Sequence, residues 1–284
     1  MKKLLLSLFI LSIAIIPACK NNKNKSFDDA KKIFVKKYKV LTGEKNINGL
    51  TSRLDFVNKN ISEYGILYDS LSRDSLLTGY DYGQFYDWDL YFENIYQMFN
   101  GESRYCYKNL NAFFIRQEPN GHINRAFGSR DKIWCKQMFK PFIAQIVLLG
   151  MRQTPDKEWL KENYTHIVRY LSYWITAYDK DHNNLSVWEN SGHSGMDNQT
   201  SRVPKSFIDE GVDLNCYIYK EYLALAKLAE MIDYNQDAIT FVKKAELIKK
   251  AINTILWDEK DGIYYDRIET TGELNKVKCI PLCL

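Results

Sequence analysis

With 284 residues the chain is long enough to bury the core of one large domain or two small ones. Apolar residues make up 45 % and charged residues 26 %, both ordinary for a soluble globular protein. The net charge of +4 is unevenly spread: residues 20–40 alone hold +6, and the mildly acidic body that remains excludes nucleic acid, which needs a basic face. Twenty Tyr, fourteen Phe and six Trp exceed what a core requires, and such a surplus lines concave binding faces.

Lys2 and Lys3, followed by the apolar run Leu4 to Ile16, form a targeting segment too short to span a bilayer. It ends Ile16-Pro17-Ala18-Cys19, which resembles the lipobox of bacterial lipoproteins, where the Cys becomes the first residue and carries a diacylglycerol. The resemblance implies a signal peptide over 1–18, lipidation of Cys19 and a membrane anchor in the bacterial cell envelope. Residues 19–50 read as a basic tether beside anionic headgroups, and 51–284 as the folded domain. Cys106, Cys135, Cys216, Cys279 and Cys283 lack CxxC spacing, and the four His are scattered. These cysteines read as packing residues with at most one incidental disulfide, and no zinc site is expected.

Beyond the tether, an amphipathic helix, a loop and another helix recur. Trp88, Phe92, Ile95 and Phe99 share one stripe of a helix over 88–99, which Asn100-Gly101 stops. Ser103 is placed to cap a second helix with Cys106, Leu110 and Phe113 inward. Pro141 suits the first turn of a third that ends at Gly150. Leu160, Tyr164, Ile167, Leu171, Trp174 and Tyr178 define the fourth. Asp213 caps a fifth, with Leu214, Ile218, Leu225, Leu228 and Ile232 inward, and Phe241, Ala245, Ile248, Ile252 and Ile255 mark the sixth. The long segments 117–140 and 179–212 carry Trp134, Trp188, Arg125 and Asp197, a composition that suits functional loops at the helix ends. The pattern is all-α helical hairpins, and periodicity alone does not choose among a bundle, a solenoid and a toroid.

Two segments bear on that choice: Asp87-Trp88-Asp89-Leu90-Tyr91-Phe92, and Trp188-Glu189-Asn190-Ser191-Gly192-His193-Ser194-Gly195-Met196-Asp197-Asn198, closing at Arg202. Both resemble motifs of the (α/α)6-barrel glycosidases of the family 63 kind, including mannosylglycerate hydrolase-like enzymes, with trehalases more distant. Gln117-Glu118-Pro119-Asn120-Gly121-His122-Ile123-Asn124-Arg125, Val212-Asp213-Leu214-Asn215 and Leu256-Trp257-Asp258 through Asp266 resemble further family segments in the same order. The resemblance covers about residues 84–270. It implies the first half of an (α/α)6 toroid, with the domain over 51–284 incomplete at its C-terminus.

Glycoside hydrolysis needs a carboxylic acid to protonate the leaving oxygen and a second carboxylate across the sugar. By resemblance Asp197 is that acid, beside Asn198, on a loop whose Gly195 permits close backbone approach. Read without the resemblance, Asp197-Asn198 is an ordinary Asx turn. Asp89 maps to a ligand of the sugar hydroxyls, with Trp88 beside it; Trp88 also suits core packing. Gln117 belongs to the sugar-binding set by resemblance. Trp188 either presents a flat face to a pyranose or packs in the core, and Arg125 either binds substrate or forms a surface ion pair. His193 stands where the family commonly has Glu, and Gln199-Thr200-Ser201-Arg202 is one residue longer than the family's Ser-Pro-Arg; both put substrate identity in doubt. Asp179-Lys180-Asp181-His182-Asn183-Asn184 partly matches a calcium loop but lacks its Gly, so a polar turn is the better reading.

The expected function is inverting hydrolysis of an α-linked glucoside, mannoside or related sugar, without metal or cofactor. The alternatives are a non-catalytic carbohydrate-binding lipoprotein and a helical adaptor for a protein partner. In the family the base lies late in the barrel, whereas Glu221, Glu230 and Glu246 here fall on helix faces that a surface role explains. This chain alone is therefore expected to be inert.

Overall fold

The computed structural model describes residues 48–79, 83–99, 101–130, 132–190, 192–196 and 209–278. Cys19 with the leader and most of the tether, the loop residues Asp197 and Asn198, and Cys279 and Cys283 lie outside the described residues. Helix α1 (Asn48–Tyr64) leads into the hairpin of β1 (Ile66–Asp69) and β2 (Asp74–Leu77), and β3 (Gln84–Tyr86) runs directly into α2 (Asp87–Phe99). Next come α3 (Arg104–Phe114), β4 (Ala126–Gly128), α4 (Ile143–Gln153) and α5 (Lys157–Tyr178). Then follow β5 (Asp209–Glu210), α6 (Val212–Met231), α7 (Asn235–Ala251), β6 (Trp257–Asp258), β7 (Ile263–Tyr264) and β8 (Arg267–Ile268).

Helix α4 packs between α2 and α6, and these three make an inner layer. Behind them α3 packs on α2 and α4, α5 on α4 and α6, and α7 along α6. Each hairpin thus gives one inner and one outer helix, which is the first half of an (α/α)6 toroid. The strands among the described residues form only two-stranded antiparallel ladders. The β3–β4 pair (Gln84↔Gly128, Tyr86↔Ala126) draws the 117–140 segment onto the start of α2.

Periodicity located the core faces of the later helices. Leu160, Tyr164, Ile167, Leu171 and Trp174 are buried along α5, whose first turn Asp156 caps through the Trp159 amide at 2.9 Å. Leu214, Ile218, Leu225, Leu228 and Ile232 are buried on and just beyond α6. The described cysteines Cys106, Cys135 and Cys216 are free thiols, and burial pushes Cys106 and Cys216 up to about 12, so both pack as inert apolar groups.

Four expectations are corrected. The buried face of α2 is Asp87, Leu90, Asn94 and Gln97, while Phe92 of the apolar stripe is 57 % exposed on the opposite side. Ser103 precedes α3 without capping it, because its hydroxyl bonds Thr154 Oγ1 at 2.6 Å. Gly150 lies inside α4 rather than ending it: a Cβ there would come 2.9 Å from Cys106 Sγ, so glycine permits the close α3–α4 approach. Glu221 is fully buried on α6 and not on a surface face. It accepts from the Ala144 and Gln145 amides at 2.8 and 2.9 Å and from Gln145 Nε2 at 3.1 Å, supplying the N-cap that α4 lacks in its own sequence.

In the Asp179 turn, the Asp179 carboxylate accepts from the Asn183 and Asn184 amides at 3.0 and 3.1 Å, and Arg267 lies alongside. Its Nη1 lies 2.7 Å from both Glu210 oxygens and 3.7 Å from Asp181. No described group of His, Cys, Asp and Glu could hold a metal ion.

Glu221→Ala uncaps α4 from within the core. It should lower the free energy of urea unfolding by about 1–3 kcal/mol, the cost of orphaning buried amides. An unchanged midpoint and slope would show that solvent replaces the cap.

Candidate active site

The first residues of α2 are fixed by charge. Asp87 and Lys140 have no exposed side-chain surface, and Lys140 Nζ lies 3.0 Å from each Asp87 oxygen. The Lys140 amide adds a 3.0 Å bond, and Arg125 Nε approaches to 3.9 Å. Burial pushes the Asp87 carboxyl up, but Lys140 and Arg125 outweigh it and hold it below the usual carboxylate range. Burial also pulls Lys140 down to about 8, against the opposing pull of Asp87.

This pair carries the candidate sugar subsite. The half-buried Trp88 ring lies under Lys140 Nζ at 4.8 Å and stands edge-on to Phe92, with centroids 6.3 Å apart. Asp89 is one step round the helix, and its charge is felt by Tyr86, Lys140 and Glu93. Glu93, one turn further on, is pushed up to about 8 by burial and by Asp89, so it is a neutral acid at pH 7. Its Oε1 is sealed beneath Gly79, where a Cβ would overlap it.

The loop that leads to Asp197 is clamped over the same spot. Trp188 donates from Nε1 to Asp213 at 3.0 Å and from its amide to the Asp209 carbonyl at 2.9 Å. Arg125 Nη1 donates to the Gly192 carbonyl at 3.1 Å and to Gln137 Oε1 at 3.0 Å. His193 is fully buried, stacked on Trp174 with centroids 5.5 Å apart. Its Nε2 lies 2.8 Å from the Met138 carbonyl, an acceptor that fixes the proton on this nitrogen. Gly195, at φ +72°, lies where a Cβ would come 3.0 Å from the Trp88 ring and 3.2 Å from Lys140 Cε.

The structure thus brings Trp88, Asp89 and Arg125 together with the loop entering Asp197. It does not bring in the other two described residues of the set. Trp188 is 1 % exposed, with its ring against Trp174 and His193, so it anchors the loop from below and offers no open face. Gln117 turns to the outer helix: its Oε1 is 2.6 Å from His166 Nδ1 and accepts from Arg169 at 3.0 Å, and its Nε2 donates to the His166 carbonyl at 2.9 Å. Arg125 is neither a surface ion pair nor an open ligand but a buried strut. His193 points into an aromatic cage, so its departure from the family pattern alters the loop's anchor. Sequence reading passed over Asp87, Lys140 and Glu93; a lone Lys before Pro141 carries no local signal, because its partner is 53 positions away.

Residues 82–279 match the model of the mannosylglycerate hydrolase MGH1-like glycoside hydrolase domain. The fold is similar to that of the GH63 mannosylglycerate hydrolase from Thermus thermophilus in complex with glucose, with a TM-score of 0.62 and 18 % identity over 81 % of this chain and 69 % of that one. For the same enzyme with Tris and D-glycerate the TM-score is 0.63 and the identity 15 %, over 81 % and 71 %. Comparison with curated proteins gives no match.

Burial holds His193 neutral, its pKa pulled down to about 3, whereas the unfolded chain takes up this proton near 6.5. The group's contribution is therefore present above pH 6.5 and lost as pH falls toward 3. Between pH 7 and pH 5 the unfolding free energy should drop by about 2 kcal/mol more in the wild type than in His193→Gln. Equal drops in paired urea titrations would mean that the imidazole is not neutral and buried.

Proposed function

Because this chain belongs to the mannosylglycerate hydrolase MGH1-like glycoside hydrolase family, we propose that it serves inverting hydrolysis of an α-linked glucoside, mannoside or related sugar, with Asp197 as general acid. What supports the acid assignment is the clamped loop: its four anchors, Trp188, Gly192, His193 and Gly195, all precede Asp197 within nine residues and hold its entry against Trp88 and Lys140. A general acid must reach the leaving oxygen in one fixed geometry, and a held approach to the acid favours that.

In this reading Asp89 hydrogen-bonds the hydroxyls of the sugar being cleaved, and the partly open Trp88 ring packs against its apolar face. Asp197 gives its proton to the glycosidic oxygen as the bond to the anomeric carbon breaks. A water on the opposite face, deprotonated by a second carboxylate, completes the inversion. Glu221 is not that base, since both its oxygens are taken by the α4 amides. Burial and Asp89 push Glu93 up to about 8, and the Asp89 carboxylate is suited by its chemistry to accept from hydroxyls.

The test is Asp197→Asn, and the equivalent change in a complete homologous protein where this chain alone is inert, assayed on α-linked disaccharides of mannose and glucose. Turnover should fall by about 10²-fold or more while affinity for the sugar is retained. Near-normal turnover removes Asp197 from the role. Sugar binding by the wild type with no turnover favours the non-catalytic carbohydrate-binding reading.

A further inference from the structure

Trp134 lies outside everything assigned so far. It sits on a tight turn, Ile133–Lys136, whose next residue, Cys135, is buried and bonded through Sγ to the Arg130 carbonyl at 3.6 Å. The turn is therefore held, yet Trp134 keeps 36 % of its surface exposed. Its ring lies parallel to that of Tyr86, 6° apart in plane with centroids 5.8 Å apart. Tyr86 is the residue immediately before Asp87-Trp88-Asp89, and its hydroxyl feels the charges of Asp89 and Arg125. The Arg125 guanidinium lies 5.9 Å from the Trp134 ring centroid, and the same guanidinium holds the Gly192 carbonyl. A backed, partly open indole thus stands next to Tyr86, which precedes the Asp87-Trp88-Asp89 run, and next to Arg125, which holds the loop entering Asp197.

We infer that Trp134, backed by Tyr86, is the platform for a second pyranose ring on the leaving-group side of the scissile bond. The inference rests on Asp197 being the acid. The acid protonates the oxygen of the departing group, so an aromatic face beside the residue that holds the acid's loop suits that group, not the sugar held by Trp88 and Asp89. A pyranose offers an apolar C–H face that stacks on an indole, and an indole already fixed by its neighbours loses little freedom when it does so. Trp134 is then a specificity residue that selects glycosides whose aglycone is a ring.

The experiment compares kcat/KM of the full chain on α-linked mannobiose and glucobiose with kcat/KM on α-mannosyl and α-glucosyl fluoride, whose leaving group has no ring. Trp134→Ala should lose about tenfold on the disaccharide that is hydrolysed and less than about twofold on its fluoride. Trp134→Phe, which keeps a flat ring, should recover most of that loss. Equal losses on both substrates, or none on the disaccharide, overturn the assignment. A second arm titrates Asp197→Asn protein with the disaccharides and follows tryptophan fluorescence. The part of the change that the disaccharides produce beyond free mannose or glucose, which report Trp88 alone, should vanish when Trp134→Phe is added; its persistence, or no such excess in the first place, also overturns the platform. If no substrate is turned over, the chain alone is inert, as the position of the family's base leads one to expect, and the fluorescence arm by itself decides the platform.

Discussion

Burying Asp87 and Lys140 together, with neither side chain open to solvent, sets a large desolvation cost against a short bidentate ion pair. Removing one partner would leave a buried charge uncompensated, a loss of about 3–5 kcal/mol. The pair ties the first residue of α2 to the chain just before α4, and everything at the site is placed relative to that tie. Trp88 and Asp89 follow Asp87 directly. Gly195 rests on Lys140, and Arg125 reaches from Asp87 to the Gly192 carbonyl.

The stretch Met138–Lys140 is the hub behind the pair. The outer helix α5 holds it through Trp174 Nε1 to the Phe139 carbonyl at 3.0 Å and Tyr170 to the Lys140 carbonyl at 2.6 Å. His193 holds it from the loop side through the Met138 carbonyl, and the Ile123 carbonyl accepts from the Phe139 amide at 2.8 Å. An outer-layer helix, a loop and the inner layer thus converge on three residues. Trp174 serves twice, since its ring also stacks on His193.

The hairpin order and most inward faces were legible because helix burial repeats along the chain: α5 and α6 bury the residues that their 3.6-residue spacing selects. The same rule misled at α2. There the apolar stripe of Trp88 and Phe92 faces the open side, while polar Asp87, Asn94 and Gln97 are buried. On this helix the buried polar groups are satisfied, Asp87 by the distant Lys140 and Asn94 by the Leu90 carbonyl one turn back, so polar residues take the inward positions that periodicity assigns to apolar ones. Asp89 and the loop around Gly195 were singled out through family resemblance. Lys140, Glu93 and the cap from Glu221 were not, since each acts through burial or through a partner across the fold. Trp188 and Gln117 resembled ligands in type, yet their neighbours in space turn both away from the site.

The central claim is that the buried pair orders the loop that enters Asp197. Hydrogen exchange of the Trp188–Met196 amides in Lys140→Met against the wild type tests it most directly, with the amides of α5 as the internal reference. The account predicts that loop protection falls by at least about tenfold relative to α5, because Asp87 loses its partner and Gly195 its support. Loop exchange that tracks α5 unchanged would contradict it.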